Sequence, residues 1–209
     1  MMQSQRPDSH DTPLHEDQVK RDPIAQFQSW YADAERAIPE PNAMVLATAT
    51  RDGVPSARVV LLKGFDKEGF IFFTNYLSRK GAELLENPRG SLVVFWPPLE
   101  RQVRIEGNVE KIDGEVSARY FHSRPRLSQI SAVISEQSRE ISNRELLEER
   151  AREFDQRLEG REVPRPDHWG GYRLRHHRIE FWQGRAGRLH DRLLYTLQKG
   201  EWKITRLQP

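Results

Sequence analysis

Short runs of β-branched and aromatic residues, separated by turn residues, restrict the possible folds of this 209-residue chain. The run Met44–Thr50 is followed by Arg51-Asp52-Gly53, a hairpin sequence, and then by the run Val54–Lys63. Further strand-like runs are Phe70–Asn75, Ser91–Trp96, Glu100–Ile112, Tyr172–Trp182, Arg188–Leu197 and Trp202–Leu207. Closely spaced strands with few crossover helices predict a mainly β protein with peripheral helices (α+β), built as a closed or split barrel.

Several segments have helical rather than strand character. Asp22-Pro23 has the residues of an N-cap and a first helical position, and apolar residues follow at helical spacing. Further helices are predicted over residues 78–87, 115–123, 125–135 and 143–159. The first twenty residues are polar and contain proline, so we predict a disordered arm over residues 1–20 and a single domain over residues 21–209.

Composition excludes several classes of function. The 33 Lys and Arg residues nearly balance the 31 Asp and Glu residues, and a net charge of +2 disfavours a nucleic-acid partner. The chain has no cysteine, which rules out disulfides and thiolate catalysis and is consistent with the reducing cytoplasm, our predicted location. No run approaches the ~20 apolar residues of a membrane-spanning helix, and no metal-ligand spacing occurs among the histidines.

The segment Arg188-Leu189-His190-Asp191-Arg192 carries three basic side chains at alternate positions. In an extended strand, residues two apart share a face, so Arg188, His190 and Arg192 are predicted to project together. Such a row favours an anion or an electron-rich ring opposite it, because like charges on one face repel. The alternative interpretation is a solvated strand face.

Two further clusters predict binding of phosphate groups. Arg58 and Lys63 bracket an apolar strand that looks buried, and Ser78-Arg79-Lys80 places two cations beside the free amides of a helix start. An ordinary capped surface helix is the alternative there.

The other cluster predicted to bind phosphate lies around a proline that breaks a helix. Pro125 ends the helix that contains Tyr120, which puts Arg124 at a junction and Ser128 in the next first turn. The three side chains are predicted to converge on one phosphate. The alternative is a helix corner with a solvated arginine.

Amide and aromatic side chains form the last cluster. Gln102 lies inside a predicted strand, Gln137-Ser138 lies in a loop, and Trp182 follows Phe181. Amides within an apolar sheet need partners, and the pyrimidine edge of a flavin offers both donors and acceptors. An indole is suited to packing on the flavin ring, although each of these residues alone also fits a structural role.

Taken together, these segments resemble the pyridoxamine 5'-phosphate oxidase family, the FMN-dependent enzymes that make pyridoxal 5'-phosphate. The resemblance covers the chain from about Asp22 to Pro209. It rests on Arg58-Val59-Val60-Leu61-Leu62-Lys63, Phe73-Thr74-Asn75, Ser78-Arg79-Lys80, Glu100-Arg101-Gln102-Val103, Tyr120-Phe121-His122-Ser123-Arg124-Pro125-Arg126, Gln137-Ser138, Trp169-Gly170-Gly171-Tyr172-Arg173, Ile179-Glu180-Phe181-Trp182-Gln183 and Arg188-Leu189-His190-Asp191-Arg192.

The resemblance implies an FMN-binding split β-barrel and a homodimer with FMN at the subunit interface. It implies that FMN is held by Arg58, Val59, Val60, Leu61, Leu62, Lys63, Phe73, Thr74, Arg79, Lys80, Gln102, Gln137, Ser138, Trp182 and Arg192. It implies that substrate is held by Lys63, Tyr120, Arg124, Ser128, Arg188, Leu189 and His190, of which Arg188 and His190 are the catalytic pair beside the pyridine ring.

The implied reaction is hydride transfer from the 4' carbon of pyridoxine or pyridoxamine 5'-phosphate to the flavin, with reoxidation by O2 to H2O2. Amine substrate would also release NH3. The alternatives are a split-barrel flavin oxidase of phenazine-type metabolism, or a non-catalytic carrier of FMN or pyridoxal phosphate. An Arg-x-x-Tyr lid segment common in the family is missing from the N-terminal arm, which leaves the substrate lid in question.

Overall fold

An antiparallel sheet of nine strands forms the body of the protein in the computed structural model, which describes residues 12–209. Its strands are β1 (Ala43–Ala49), β2 (Pro55–Leu61), β3 (Gly64–Asp66), β4 (Gly69–Asn75), β5 (Arg89–Trp96), β6 (Arg101–Lys111), β7 (Trp169–Gln183), β8 (Asp191–Gln198) and β9 (Glu201–Arg206). Around the sheet lie α1 (Pro23–Ala37), α2 (Arg79–Glu86), α3 (Gly114–Ser123), α4 (Arg126–Ile134) and α5 (Arg144–Leu158). None of these helices is long and apolar enough to cross a membrane.

Strand β7 organises the sheet. The main strand order is β2-β1-β5-β6-β7-β4-β3, and β6 pairs with β7 from Arg101 to Lys111. On its other edge, β7 pairs first with β4 and then with β8, which in turn pairs with β9. The sheet therefore divides into two branches along a single strand.

The sheet curls back on itself beside β4. The amide of Lys63, just after β2, donates to the carbonyl of Ile71 in β4 at 2.8 Å. Because β2 and β4 lie far apart in the strand order, this bond brings one end of the sheet round onto the other branch. The split-barrel prediction is confirmed, and Leu61 and Lys63 come to lie beside Phe73 and Thr74.

The main core fills the inside of this curl. Helix α1 begins at Asp22, whose side chain accepts from the amide of Ile24, and the helix buries Phe27 among aromatic rings. The Phe27 ring contacts Phe65 and Phe70 edge to face, with centroids 4.9 and 5.0 Å away. Edge-to-face aromatic packing stabilises a core beyond the area it buries, so α1 closes the open side of the barrel.

A second, smaller core lies under helices α3 and α4. Phe121, Ile130 and Trp169 are buried there, and Phe154 of α5 packs against them. Proline separates α3 from α4 as predicted, with Arg124 as the last cap residue of α3 and Pro125 as the N-cap of α4. This core supports the helices that form one wall of the candidate site.

Three local predictions differ from the structure. Strand β3 is not among the predicted strands, because three residues are too few for a recognisable pattern. The strand that contains Arg58 is an edge strand with Val59 65% exposed, and not a buried one. Arg188 lies in a short 3-10 turn with φ of 63°, and β8 begins only at Asp191.

The N-terminal segment also differs from its prediction where it is described. Residues 1–11 of the predicted arm lie outside the described residues, whereas residues 12–20 pack against the C-terminal strands. The amide of Leu14 donates to Asp191, Arg206 pairs with Glu16, and the Tyr195 hydroxyl donates to the carbonyl of Lys20. The disorder predicted for residues 12–20 is therefore wrong, because Arg206 and Asp191 supply partners that no local pattern indicates.

The packing of Phe27 predicts a large loss of stability when its ring is removed. Phe27→Ala should lower the free energy of unfolding by about 3–5 kcal/mol, because it leaves a cavity between α1 and the sheet. Leu85→Ala is the control, since Leu85 on α2 is 80% exposed and should change stability by less than about 0.5 kcal/mol. Urea unfolding measures both, and equal losses would contradict this account of the core.

Candidate functional site

A cavity of about 450 Å³ opens between the curled sheet and helices α3 and α4. It is lined by Leu61, Lys63, Phe73, Thr74, Asn75, Tyr120, Arg124, Pro125, Ser128, Ser131, Ala132, Ser135, Gln137 and Trp169. The closure of β2 onto β4 supplies one wall, and the α3–α4 corner supplies the other.

Stacked aromatic rings form the apolar side of this cavity. The ring of Phe73 stacks on Tyr120 with centroids 4.0 Å apart and on Trp169 with centroids 5.5 Å apart. Lys63 Nζ lies 5.9 Å from the Tyr120 ring, and the Arg124 guanidinium lies 4.6 Å from the Trp169 ring. A flat, electron-rich surface with a cation near each end suits a planar ligand that carries an anionic group.

Arg124 is the strongest anion-binding candidate in the cavity. Its Nη1 is buried and has no hydrogen-bond partner among residues 12–209. Burial lowers the pKa of Arg124, although a guanidinium stays charged at any ordinary pH. A buried cationic donor without a partner favours an external anion, because its desolvation is otherwise uncompensated.

Helix α4 adds hydroxyl groups to the same cavity. Ser128 lies in its first turn, and Ser131 and Ser135 line the cavity with it. Spacings of three and four residues place all three on one face of the helix. Ser131 and Ser135 are not among the predicted site residues, although their spacing from Ser128 is sufficient to indicate them.

A buried lysine lies behind two residues of the cavity lining, Thr74 and Gln137. Lys80, in the first turn of α2, is only 7% exposed. Its Nζ donates to Thr74 Oγ1 at 3.1 Å, Ser78 Oγ at 3.0 Å and Gln137 Oε1 at 2.7 Å. Burial and, to a smaller extent, the charge of Arg58 lower the pKa of Lys80 to about 8, while the charge of Glu83 opposes both effects.

The N-terminus of α2 gathers the other predicted phosphate ligands. Ser78 caps the helix by accepting from the amide of Gly81, as the sequence predicts, and the amide of Arg79 donates to Ser138 Oγ at 3.2 Å. Arg58 approaches from β2 and donates through Nη2 to Glu83 at 3.3 Å. The structure thus brings Arg58, Arg79 and Lys80 together, with Glu83 among them.

A second group of predicted residues lies at the far end of β7. Gln102, Trp182 and Arg192 are directly opposite one another on β6, β7 and β8, so their side chains share one face of the sheet. The His190 ring lies 4.6 Å from the Trp182 ring, centroid to centroid. His190 and Arg192 therefore both lie next to Trp182, an electron-rich ring of the kind predicted to lie opposite these basic side chains.

The backbone before β8 differs from the extended strand predicted for Arg188 to Arg192. Arg188 belongs to the turn before β8, and His190 precedes the first residue of β8, Asp191. The single strand face predicted for Arg188, His190 and Arg192 is therefore wrong for the first two residues. Leu189 in this turn is also exposed. Glycine at position 187 has φ of 65°, a left-handed conformation that bends the chain before β8.

Arg192 is held by a buried acid. Its Nε donates to Glu180 at 2.8 Å and its Nη1 donates to the carbonyl of Gln208 at 2.9 Å. Glu180 is 3% exposed and also accepts from Arg104. The hydrogen bond that Arg192 donates to Glu180 raises the pKa of Arg192, and it fixes the position of this cation.

The predicted site residues thus form two groups within one chain. The first lies in or beside the cavity and contains Arg58, Leu61, Lys63, Phe73, Thr74, Arg79, Lys80, Tyr120, Arg124, Ser128, Gln137 and Ser138. The second contains Gln102, Trp182, Arg188, Leu189, His190 and Arg192. Val60 and Leu62 pack in or against the main core, and Val59 faces outward.

Sequence profiles of known families match most of the chain. The profile of pyridoxamine 5'-phosphate oxidase matches residues 32–157. The profile of the pyridoxine 5'-phosphate oxidase C-terminal dimerisation region matches residues 169–209. The second match contains all of β7, β8 and β9.

Curated relatives agree with these profiles. A pyridoxine/pyridoxamine 5'-phosphate oxidase of Acaryochloris marina is 53% identical over 98% of this chain and 94% of its own length. A protein of the same name from Rubrobacter xylanophilus is 57% identical over 94% of this chain and 91% of its own length.

Solved structures share the fold. PhzG from Burkholderia lata 383, crystallised with tetrahydrophenazine-1-carboxylic acid, has a TM-score of 0.89 and 36% identity over 95% of this chain and 98% of its own. A pyridoxamine 5'-phosphate oxidase-related, FMN-binding protein from Nostoc punctiforme has a TM-score of 0.72 at 15% identity, over 91% of this chain and 100% of its own.

The buried ammonium of Lys80 predicts how stability changes with pH. Its pKa falls from 10.5 in the unfolded chain to about 8 in the folded protein, so folding disfavours the charged form. This penalty is complete below pH 8 and disappears between pH 8 and 10.5, a range over which stability rises by about 3 kcal/mol.

Lys80→Met removes this titration. The free energy of unfolding of the variant minus that of the wild type should therefore fall by about 3 kcal/mol between pH 7 and pH 10, whatever its value at pH 7. Lys67→Met, in the exposed turn between β3 and β4, is the control and should follow the wild type. Urea unfolding across this range measures the effect, and a constant difference for Lys80→Met would contradict it.

Proposed function

Since the chain belongs to the pyridoxamine 5'-phosphate oxidase family, we propose that it oxidises pyridoxamine and pyridoxine 5'-phosphates to pyridoxal 5'-phosphate. FMN is the proposed cofactor and O2 the proposed electron acceptor, with H2O2 as product and NH3 released from the amine. The proposal includes a homodimer in the cytoplasm, with no nucleic acid or membrane as a partner.

The unpartnered Nη1 of Arg124 is the observation that carries the substrate assignment. It lies in one cavity with Lys63 and Ser128, two further donors to a phosphate oxygen. Arginine and phosphate form short charge-assisted hydrogen bonds, which are strong where water is excluded. The stacked ring of Tyr120 offers a surface for a pyridine ring close to these donors.

The cations around the N-terminus of α2, next to Thr74 and Gln137 of the cavity lining, fit the phosphate of FMN. Arg58, Arg79 and Lys80 supply positive charge, and the amides at the start of α2 face the same region. Thr74 and Gln137 already contact the Lys80 ammonium and would complete the polar lining. When bound, FMN supplies the hydride acceptor and the centre that reduces O2.

The second group of residues is proposed to act across a dimer interface. It lies at one end of β7, and Trp169 of the cavity lies at the other end. With 15 residues at about 3.3 Å each, the strand is several times longer than pyridoxine phosphate, so one such molecule would not reach from the cavity to this group along the same chain. Trp182 shares its sheet face with Phe95 and Val45, and Phe95 is 54% exposed. An outward apolar face favours burial against a second copy, and the dimerisation profile covers β7 itself.

In this dimer, each residue has a distinct proposed task. Arg188 and His190 of one subunit hold the pyridine ring in position for the reaction, while Arg124 of the other holds the phosphate. Arg192, fixed by Glu180, places a cation where charge develops on the reduced cofactor. Leu189 and Trp182 exclude water around them.

Two other functions fit parts of the structure. PhzG has the same fold and binds a phenazine acid, but the curated oxidases are 53–57% identical to this chain and PhzG is 36% identical. A non-catalytic carrier would use the same cavity without turnover. The donors at Arg124, Lys63 and Ser128 favour a phosphorylated substrate over a phenazine carboxylate.

The direct test is to record the colour of the purified protein and then add pyridoxamine 5'-phosphate in air. The proposal expects a yellow protein that forms H2O2 and pyridoxal 5'-phosphate. Colour without either product would support the carrier, and turnover of tetrahydrophenazine-1-carboxylic acid but not of the vitamer would support the PhzG-like alternative.

Arg124→Ala should raise KM for pyridoxamine 5'-phosphate by about 10–100-fold, since a lost hydrogen bond to a charged group is worth about 1.5–3 kcal/mol. The value of kcat should change much less, because the phosphate group takes no part in the bonds that form and break at the reacting carbon. Arg119→Ala, on the exposed face of α3, is the matched control and should leave KM unchanged. Steady-state kinetics separates the two constants, and an unchanged KM for Arg124→Ala excludes the phosphate role.

A further inference from the structure

Glu83 is a buried carboxylate surrounded by the residues that carry the proposed cofactor site. It lies in the second turn of α2 and is only 4% exposed. Its Oε2 accepts from the hydroxyls of Thr48 and Ser56 and from Arg58 Nη2, and its Oε1 accepts from Arg79 Nε at 2.9 Å. The acid thus joins β1, β2 and α2 at one point.

The charge of Glu83 is fully compensated there. Burial alone would raise its pKa, but hydrogen bonds from Ser56, Thr48 and Arg79 outweigh burial and lower the pKa to about 2. The carboxylate is therefore ionised whenever the protein is folded near neutral pH. An ionised buried acid between two arginines holds both guanidinium groups in defined positions.

We propose that Glu83 is a positioning residue for the cofactor phosphate, since it orients Arg58 and Arg79 and keeps the ammonium of Lys80 charged. This inference rests on the proposed function, in which these three cations bind the phosphate of FMN. It adds to the proposed function a residue with no direct role in holding the phosphate. Glu83 is negatively charged and would repel a phosphate, so its place in the site needs an explanation of its own.

Lys80 depends on Glu83 because its other partners are neutral. The hydroxyls of Thr74 and Ser78 and the amide oxygen of Gln137 accept from its Nζ without balancing its charge. The charged groups that face Lys80 are Arg58 on β2 and Glu83 on α2, and only Glu83 raises the pKa of Lys80. Without this acid, the three cations of the site would repel one another.

Arg58 shows the positional part of the effect. Its Nη1 donates to the Leu46 carbonyl at 3.1 Å and to Thr48 Oγ1, while its Nη2 reaches Ser56 and Glu83. Both terminal nitrogens are therefore held by β1, β2 and α2 before any ligand arrives. Preorganised cations lose little conformational entropy on binding, which strengthens binding of an anion.

The test is the pH dependence of FMN affinity, measured by quenching of flavin fluorescence when FMN is added to the apoprotein. For the wild type, the dissociation constant should be level to about pH 8 and then rise tenfold per pH unit, as Lys80 loses its proton. Glu83→Gln should weaken binding about tenfold at pH 7, through loss of a charged hydrogen-bond partner, and move the break to lower pH. Riboflavin, which has no phosphate, should show no break in either protein.

Two further variants separate charge from position. Glu83→Asp keeps the charge but moves it away from Arg58, so it should weaken FMN binding several-fold at pH 7 and leave the break near pH 8. Glu86→Gln, an exposed change on the same helix, should match the wild type throughout. Thermal unfolding of each apoprotein checks the fold, and Glu83→Asp remains a test of positioning if Glu83→Gln does not fold.

Three results would overturn the inference. The first is a dissociation constant for FMN that begins to rise at the same pH in Glu83→Gln as in the wild type. The second is an unchanged FMN affinity at pH 7 in Glu83→Asp. The third is tighter binding of FMN by Glu83→Gln than by the wild type. The last would mean that the carboxylate competes with the phosphate. A wild-type protein that does not bind FMN would instead contradict the proposed function itself, so the two failures are distinguishable.

Discussion

The hydrogen bonding of β7 on both of its edges is the constraint on which the rest of the structure depends. Its first half pairs with β4 and presents Trp169 to the cavity, while its second half pairs with β8 and presents Trp182 to the outside. One strand therefore borders the cavity at its start and the second group of proposed site residues at its end, and holds the two apart. A site that needs both groups requires a second chain, which links the topology of the sheet to the proposed dimer.

The charges of several arginines in the structure are balanced by buried acids. Glu83 and Glu180 are both buried, and each accepts from two arginines that belong to the proposed site or lie next to it. A buried acid with two charged donors fixes their side chains, whereas Arg124 is left with a buried nitrogen that forms no hydrogen bond to any described residue. Orientation by internal acids and an open donor in the cavity are complementary requirements of anion binding.

Local chemistry made much of this predictable from sequence. Asp22 and Ser78 cap their helices as expected, and Pro125 ends α3 where its missing donor requires. Alternation failed at Arg188, because Gly187 adopts a left-handed conformation and β8 starts three residues later than the pattern indicated. Glu83 was missed because its partners come from β1, β2 and α2, and contacts between distant segments leave no local pattern.

The central claim is that each site combines Arg124 of one subunit with Arg188 of the other, and a mixed dimer tests it most directly. Arg124→Ala and Arg188→Ala chains carrying different tags are co-expressed, and the dimer bearing both tags is assayed at low pyridoxamine 5'-phosphate. One of its two sites would carry both substitutions and the other neither, so about half of the wild-type activity should return. A mixed dimer no more active than either variant alone would contradict the claim.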